Sequence, residues 1–288
     1  MKILRFRHKG LVHAGILRNG SITPMDAINA KTGIGAANDV LGLIQSGVDA
    51  LEDLPPDLES IPATEVMPIL PYDVPPKIWL IGLNYKSHAE DINAVQPEEP
   101  GSFMKPASCM FQPEGDIVLP PPDVSNDVDA EGELCVVIGK RCRFVPAEHV
   151  RDVIFGYTTT LDLTALDVLR KNPRYLTRSK SIDTFFSFGP VIVTADEIPD
   201  PDNLEVITEH NGGVCSRDYV RNMRTRPFEL VRFHSEFFTF EPGDLLSTGC
   251  PKGARIKPGD HVRARIDGIG TLGARVTQGV RQLWSPRD

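Results

Sequence analysis

The stretch D-A-E-G-E-L-C-V-V-I-G, residues 129–139, decides how the rest of the chain is read. Its second half, Leu134 to Ile138, is unbroken and apolar, with β-branched Val136, Val137 and Ile138. That is the pattern of a strand buried on both faces. Its first half sets Glu131 and Glu133 two residues apart, and on a strand residues i and i+2 point to the same face. Two carboxylates side by side at the entry to a buried strand repel each other unless a proton or a cation lies between them. A divalent cation meets that need better than a shared proton. The spacing by itself leaves another case open, because E-x-E is a common pattern that also occurs exposed at strand starts.

Working outward, the 288 residues suffice for one large domain or a domain with a small appendage. Apolar content of 41% and charged content of 24% are ordinary globular values. A net charge of −8 argues against a nucleic-acid footprint, but does not exclude anionic substrates, since a metal or a local lysine reverses the sign inside a cleft. Five cysteines without a C-x-x-C pair support neither a disulfide framework nor a zinc knuckle, and reduced thiols fit a cytoplasmic protein. The basic start MKILRFRHKG lacks the apolar core of a signal peptide, and no run is long enough to span a membrane. With 25 prolines and 24 glycines, many at turn positions, the chain is expected to be mainly β.

Residues 2–17 read as a hairpin about Lys9-Gly10, 35–48 as a short helix, and the Pro- and acid-rich 52–76 as a linker. The expected division is therefore a small N-terminal α/β domain over 1–72 and a main domain over 73–288. KIWLIGL (77–83) reads as a central strand, followed by a long polar segment, 84–101, of the kind that forms lids. IFGYTTTLDLT (154–164) reads as a strand carrying Asp162 in β-branched, apolar surroundings, and 226–240 has helical spacing.

Glu131, Glu133 and Asp162 make an all-oxygen set, which selects Mg²⁺ or Mn²⁺, and admits Ca²⁺, over zinc or copper. The alternative is that Asp162 caps the following helix. Lys180, in the aromatic stretch SKSIDTFFSFGP, is placed to steady an oxyanion or enolate, or else is a surface lysine. If 84–91 is helical, His88 meets Asp91 at i+3 as a water-activating pair; otherwise it is an exposed loop histidine.

At this point the order of blocks becomes informative. GLNYKSHAED, FMKPASC, DAEGELCVVIGK, GYTTTLDLTALD, SKSIDTFFSFGP, PGDLLSTGCPKG and GDHVRARIDGIGTLGARV resemble, in sequence, those of the fumarylacetoacetate hydrolase family, over roughly residues 77–276. The resemblance implies a mixed β-sandwich roll, a homodimer, Mg²⁺ or Mn²⁺, a small 2-oxo or β-diketo acid substrate and a place in aromatic catabolism. By position it makes Glu131, Glu133 and Asp162 the metal ligands, Lys180 the enolate-stabilising lysine and His88 the lid histidine, with Asp91 or Glu90 as its acid. It also points to Tyr85, Lys105, Ser216, Thr248, Gly249 and Cys250 as substrate contacts. The chain departs from the pattern at Leu161 and Leu166, where the family has Asn and Arg. It departs again at Ser216 (Gln), Val220 (Thr) and Cys250 (Thr). Metal and lysine are kept while polar groups near the substrate change, so an atypical, larger or less anionic substrate is expected. Hydrolytic C–C cleavage is the leading expectation. The alternatives are decarboxylation, tautomerisation or dienoate isomerisation at the same metal, and a ligand-binding member without turnover.

Overall fold

Two long strands, Val128–Ile138 and Ile154–Ala165, run antiparallel through the middle of the molecule, and every residue of both is buried. Their β-branched and apolar runs explain this, since a strand covered on both faces gains burial from successive residues rather than alternate ones. The first strand begins at Val128, so the acidic stretch expected at its entrance lies inside it. The computed structural model describes residues 1–91 and 93–281.

These strands anchor a large mixed sheet. On one side Leu245–Ser247 pairs with residues 135–137 and then, in parallel, with Ile78–Ile81. On the other side Val191–Thr194 joins Ile154–Ala165 to the N-terminal hairpin of Lys2–His8 and Leu11–Arg18, which turns at Lys9-Gly10. A smaller sheet orders Gly213–Tyr219, Glu205–His210, His261–Ile266, Gly270–Gln278 and Asp116–Leu119. It packs across the central pair, with Ala130, Leu161 and Leu163 meeting Val262, Ala264, Leu272 and Ala274 in one apolar core. Gly132 is the point of closest approach. A Cβ there would come within 2.8 Å of Thr208 Oγ1 and 2.9 Å of Ala264 Cβ, and its amide donates to Thr208 Oγ1 at 3.1 Å.

Residues 1–72 share this framework. Ile3, Ile16, Met25 and Ile28 pack in the same core as Leu80, Val137 and Ile192. The acid-rich linker contains a buried stretch, residues 69–72, where Tyr72 donates its hydroxyl proton to the Gly243 carbonyl at 2.8 Å. The helices are short. Val40–Ser46 starts at Asp39, whose side chain accepts from the Gly42 amide as an N-cap. Lys86–Asp91, Leu166–Lys171 and Leu176–Lys180 stand around the open end of the central pair. Pro227–Ser235 lies on the far side of the sheet, with His234 buried among Trp79, Phe233, Phe237 and Phe238. No helix among the described residues is long and apolar enough to cross a membrane.

Candidate metal centre and the cavity above it

Strand periodicity places Glu131 and Glu133 on one face, and antiparallel register sets Asp162 directly opposite Glu131. One oxygen from each carboxylate lies within 4.8 Å of the others, and all three residues are buried. Asp162 is in mid-strand, so it caps no helix. The surrounding donors are just as local. Thr164, two residues beyond Asp162 on the same face, donates to Glu131 Oε1 at 2.6 Å. Ser247, from the neighbouring strand, donates to Glu133, as does the Gly249 amide at 3.0 Å. Gly249 holds a φ of +92°, and a Cβ there would sit 2.9 Å from that of Asn84, so glycine alone suits this turn.

Two lysines face Asp162 from opposite sides. Lys180, at the end of Leu176–Lys180, puts Nζ 2.9 Å from Glu131 Oε2 and also pairs with Asp162. Lys105 is fully buried beneath, paired with Asp162 and donating to the Leu163 carbonyl at 3.0 Å. Burial disfavours the charged form of Lys180, yet Asp162 and Glu131 outweigh it and raise its pKa, so it stays an ammonium. Lys105, with less compensation, is lowered by burial. Glu131 is buried too, but the Lys180 ammonium and the Thr164 hydrogen bond hold it down at about 2. Glu133 has no such ammonium partner among the described residues. Burial, then the charges of Asp162 and Glu131, push it up to about 8, so without a cation it carries a proton at neutral pH.

This donor set fits a hard divalent ion. Three buried carboxylates converge, and a soft donor is absent from the three.

A cavity of about 330 Å³ opens above the acids, within the range of small-molecule sites. Glu131, Glu133, Lys180, His88, Cys250 and Arg170 are among its polar lining. Leu166, Leu169, Leu176, Phe103 and Ile81 make much of the rest apolar. His88 sits in the helix Lys86–Asp91 and is lowered by burial, so its imidazole is neutral.

Other expected contacts fall elsewhere. Asp91 does not meet His88 in a hydrogen bond; it pairs with Lys252 at 2.7 Å, and exposed Glu90 pairs with Lys86 at 3.5 Å. His88 Nδ1 lies instead 3.8 Å from Cys250 Sγ. Tyr85 is fully buried in the apolar core rather than in the cavity wall. Lys105 braces Asp162 from below and has no exposed surface to offer a substrate. Thr248 donates its hydroxyl proton to the Leu134 carbonyl at 2.8 Å, and Ser216 donates to the Lys252 carbonyl at 2.9 Å, so both hold backbone. Sequence reasoning passed over Thr164, Ser247 and the Leu169–Leu176 wall. The period of two in LDLTA marks Thr164, whereas Ser247 joins the site only through sheet pairing.

Residues 77–277 match the fumarylacetoacetate (FAA) hydrolase C-terminal family. An uncharacterised protein of Archaeoglobus fulgidus is 43% identical over 213 residues, covering 74% of this chain and 82% of its own. A mitochondrial oxaloacetate tautomerase of Homo sapiens is 35% identical over 224 residues, 75% of this chain and 71% of its own. Among solved structures, maleylpyruvate hydrolase from Sphingobium sp. SYK-6, in complex with manganese(II) and pyruvate, superposes with a TM-score of 0.80 at 31% identity, covering 97% of this chain and 100% of that one. With the matched region spanning the central strands, the acids and the cavity, this chain belongs to the fumarylacetoacetate hydrolase family.

Proposed function

We propose that the protein is a divalent-metal-dependent hydrolase that cleaves a C–C bond of a β-diketo or 2-oxo acid by way of an enolate. The observation that carries this reading is a cluster of three buried carboxylates, two of which share a cavity wall with the Lys180 ammonium and the His88 imidazole. Glu131, Glu133 and Asp162 would hold Mg²⁺ or Mn²⁺, and the same donors suit Ca²⁺. When bound, the ion supplies Lewis acidity toward a chelated dicarbonyl. Lys180, kept charged by the acids, brings a fixed positive group to the side of the cavity where negative charge develops. Neutral His88 is able to take a proton from water at the cavity mouth. Leu166, Leu169 and Leu176 offer an apolar bed for the acyl tail of an acylpyruvate. The manganese and pyruvate named for the Sphingobium hydrolase support this choice of ion and acid. A cytoplasmic homodimer is part of the same proposal; five free cysteines suit a reducing compartment, and sedimentation equilibrium tests the dimer.

A second reading is favoured by one contact. Asp91, the acid expected to serve His88, is engaged by Lys252. Tautomerisation or decarboxylation of an oxaloacetate-like acid, or isomerisation of a dienoate, needs the acids and Lys180 but no activated water. The human relative's activity points the same way. Turnover of oxaloacetate, acylpyruvates and fumarylpyruvate with Mg²⁺, Mn²⁺ and EDTA separates the two. The hydrolase reading expects acylpyruvate cleavage that EDTA abolishes and that His88→Ala lowers by about 10²–10⁴-fold. Cleavage that survives EDTA ends it. Oxaloacetate conversion without acylpyruvate cleavage, spared in His88→Ala, establishes the second reading instead.

A further inference from the structure

Cys250 stands where the family pattern has threonine, and the fold brings it to the same cavity as His88 and Glu131. All three are buried, and one ligand atom from each lies within 4.8 Å of the others. Sulfur, imidazole nitrogen and one carboxylate oxygen form a donor set different in kind from the three carboxylates beside it. Hard ions such as Mg²⁺ have little use for a thiolate, whereas zinc-class ions prefer it. We propose that His88, Cys250 and Glu131 form a second, thiophilic cation site that takes Zn²⁺-class ions and silences the oxygen site by claiming Glu131 and His88.

The spacing suits such an ion. Zinc takes thiolate sulfur at about 2.3 Å and imidazole nitrogen at about 2.0 Å, which at the tetrahedral angle sets the two atoms about 3.5 Å apart. Cys250 Sγ and His88 Nδ1 are 3.8 Å apart. Three protein ligands leave a fourth position toward the cavity for water or a substrate carboxylate. A hydrogen bond from a neutral thiol also accounts for the sulfur–nitrogen distance, and it is the reading that the metal titration below tests against. A free nucleophilic thiolate is the other use for a Cys–His pair. It fares poorly here, because Cys250 is buried and the Glu131 carboxylate lines the same cavity, so low polarity and like charge both oppose a bare thiolate. A dication turns that opposition into attraction.

The two sites compete through Glu131, which belongs to both donor sets. His88 is the proton carrier of the proposed reaction, so an ion on its ring removes it from catalysis. The silencing half of the inference rests on that reaction, while the binding half does not. Both are tested on the full chain, the binding half without added Mg²⁺ so that Glu131 stays available, and the silencing half with Mg²⁺ supporting turnover. Co²⁺, titrated to several equivalents as the spectroscopic stand-in for zinc, is expected to give a near-ultraviolet thiolate-to-cobalt charge-transfer band. The band is expected to vanish in Cys250→Thr and in Cys250→Ser, with the fold of each checked by circular dichroism. No band in the wild-type chain, or a band that persists in both variants, overturns the site. Zn²⁺ is expected to inhibit the wild type at least about 10-fold more potently than Cys250→Thr, and equal inhibition overturns the silencing. If no oxo acid is turned over at all, the proposed reaction fails while the absorption band still reports on the site.

Discussion

Lys180 is the residue on which the charge balance of the cavity turns. It meets two of the three acids, and the small exposed surface of all three groups leaves water little part in screening them. Removing one partner from a buried ion cluster strands the remaining charges at a cost of several kcal/mol. Lys180→Met is therefore expected to lower the melting temperature strongly in EDTA and much less with Mn²⁺ present, because a dication replaces the lost positive charge. Turnover with saturating Mn²⁺ is expected to fall about 10²–10³-fold, the size of effect seen when one preorganised charge stabiliser is removed. Scanning fluorimetry with and without metal, alongside steady-state rates, measures both. An equal loss of melting temperature in the two conditions would count against a cation among these acids. Lys105 differs from Lys180 in being sealed beneath Asp162, where it sets that carboxylate's position rather than meeting substrate.

Secondary-structure elements hold these residues in register. Gly132 lies between Glu131 and Glu133, with its missing side chain facing the smaller sheet. Gly132→Ala must displace Thr208 or Ala264, and overpacking of that kind costs about 1–3 kcal/mol. Urea unfolding is expected to show that loss, together with weaker Mn²⁺ binding, since the same strand carries two of the acids. On the helix Pro227–Ser235, His234 is buried among aromatic rings and its Nδ1–H donates to the Leu230 carbonyl at 2.8 Å. Burial lowers its pKa, with the Leu230 contact only partly opposing the shift. The folded state thus prefers neutral His234. Its contribution to stability is complete above the unfolded pKa of about 6.5 and is lost as pH falls through the lower folded value. Unfolding free energy is expected to drop from pH 7.5 to pH 5, and His234→Phe is expected to shallow that drop. An identical pH profile in the variant would show that His234 does not titrate on unfolding.

At the scale of the whole molecule, the sheet runs without a break from the N-terminal hairpin to the acid-bearing strands, and residues 1–72 share their core with the rest. Deleting residues 1–72 uncovers Ile192 and the free edge of Val191–Thr194, an exposed apolar sheet edge of the kind that aggregates. The truncated chain is expected to elute as aggregate in size-exclusion chromatography where the full chain elutes as one species. A soluble, folded 73–288 would instead establish that part as an independent domain. Much of the site was legible in the residues themselves. Period-two spacing put Glu131 and Glu133 on one face, and the apolar setting of Asp162 marked it as unusual. Short-range rules also found the hairpin at Lys9-Gly10 and the short helices, because turn chemistry and helical spacing are local. The pairing of Asp91 with Lys252, the burial of Tyr85 and Lys105, and the backbone duties of Thr248 and Ser216 were not legible, because each depends on a partner far along the chain. The sequence by itself determined a β-rich chain with three acids and a lysine suited to a hard cation. Only the tertiary structure decided that Asp162 would face Glu131, and that Cys250 would stand beside His88. Residue identity sets what a side chain is able to do, but which partner it meets is set by strand register and sheet packing, where contacts between distant segments outweigh local preference.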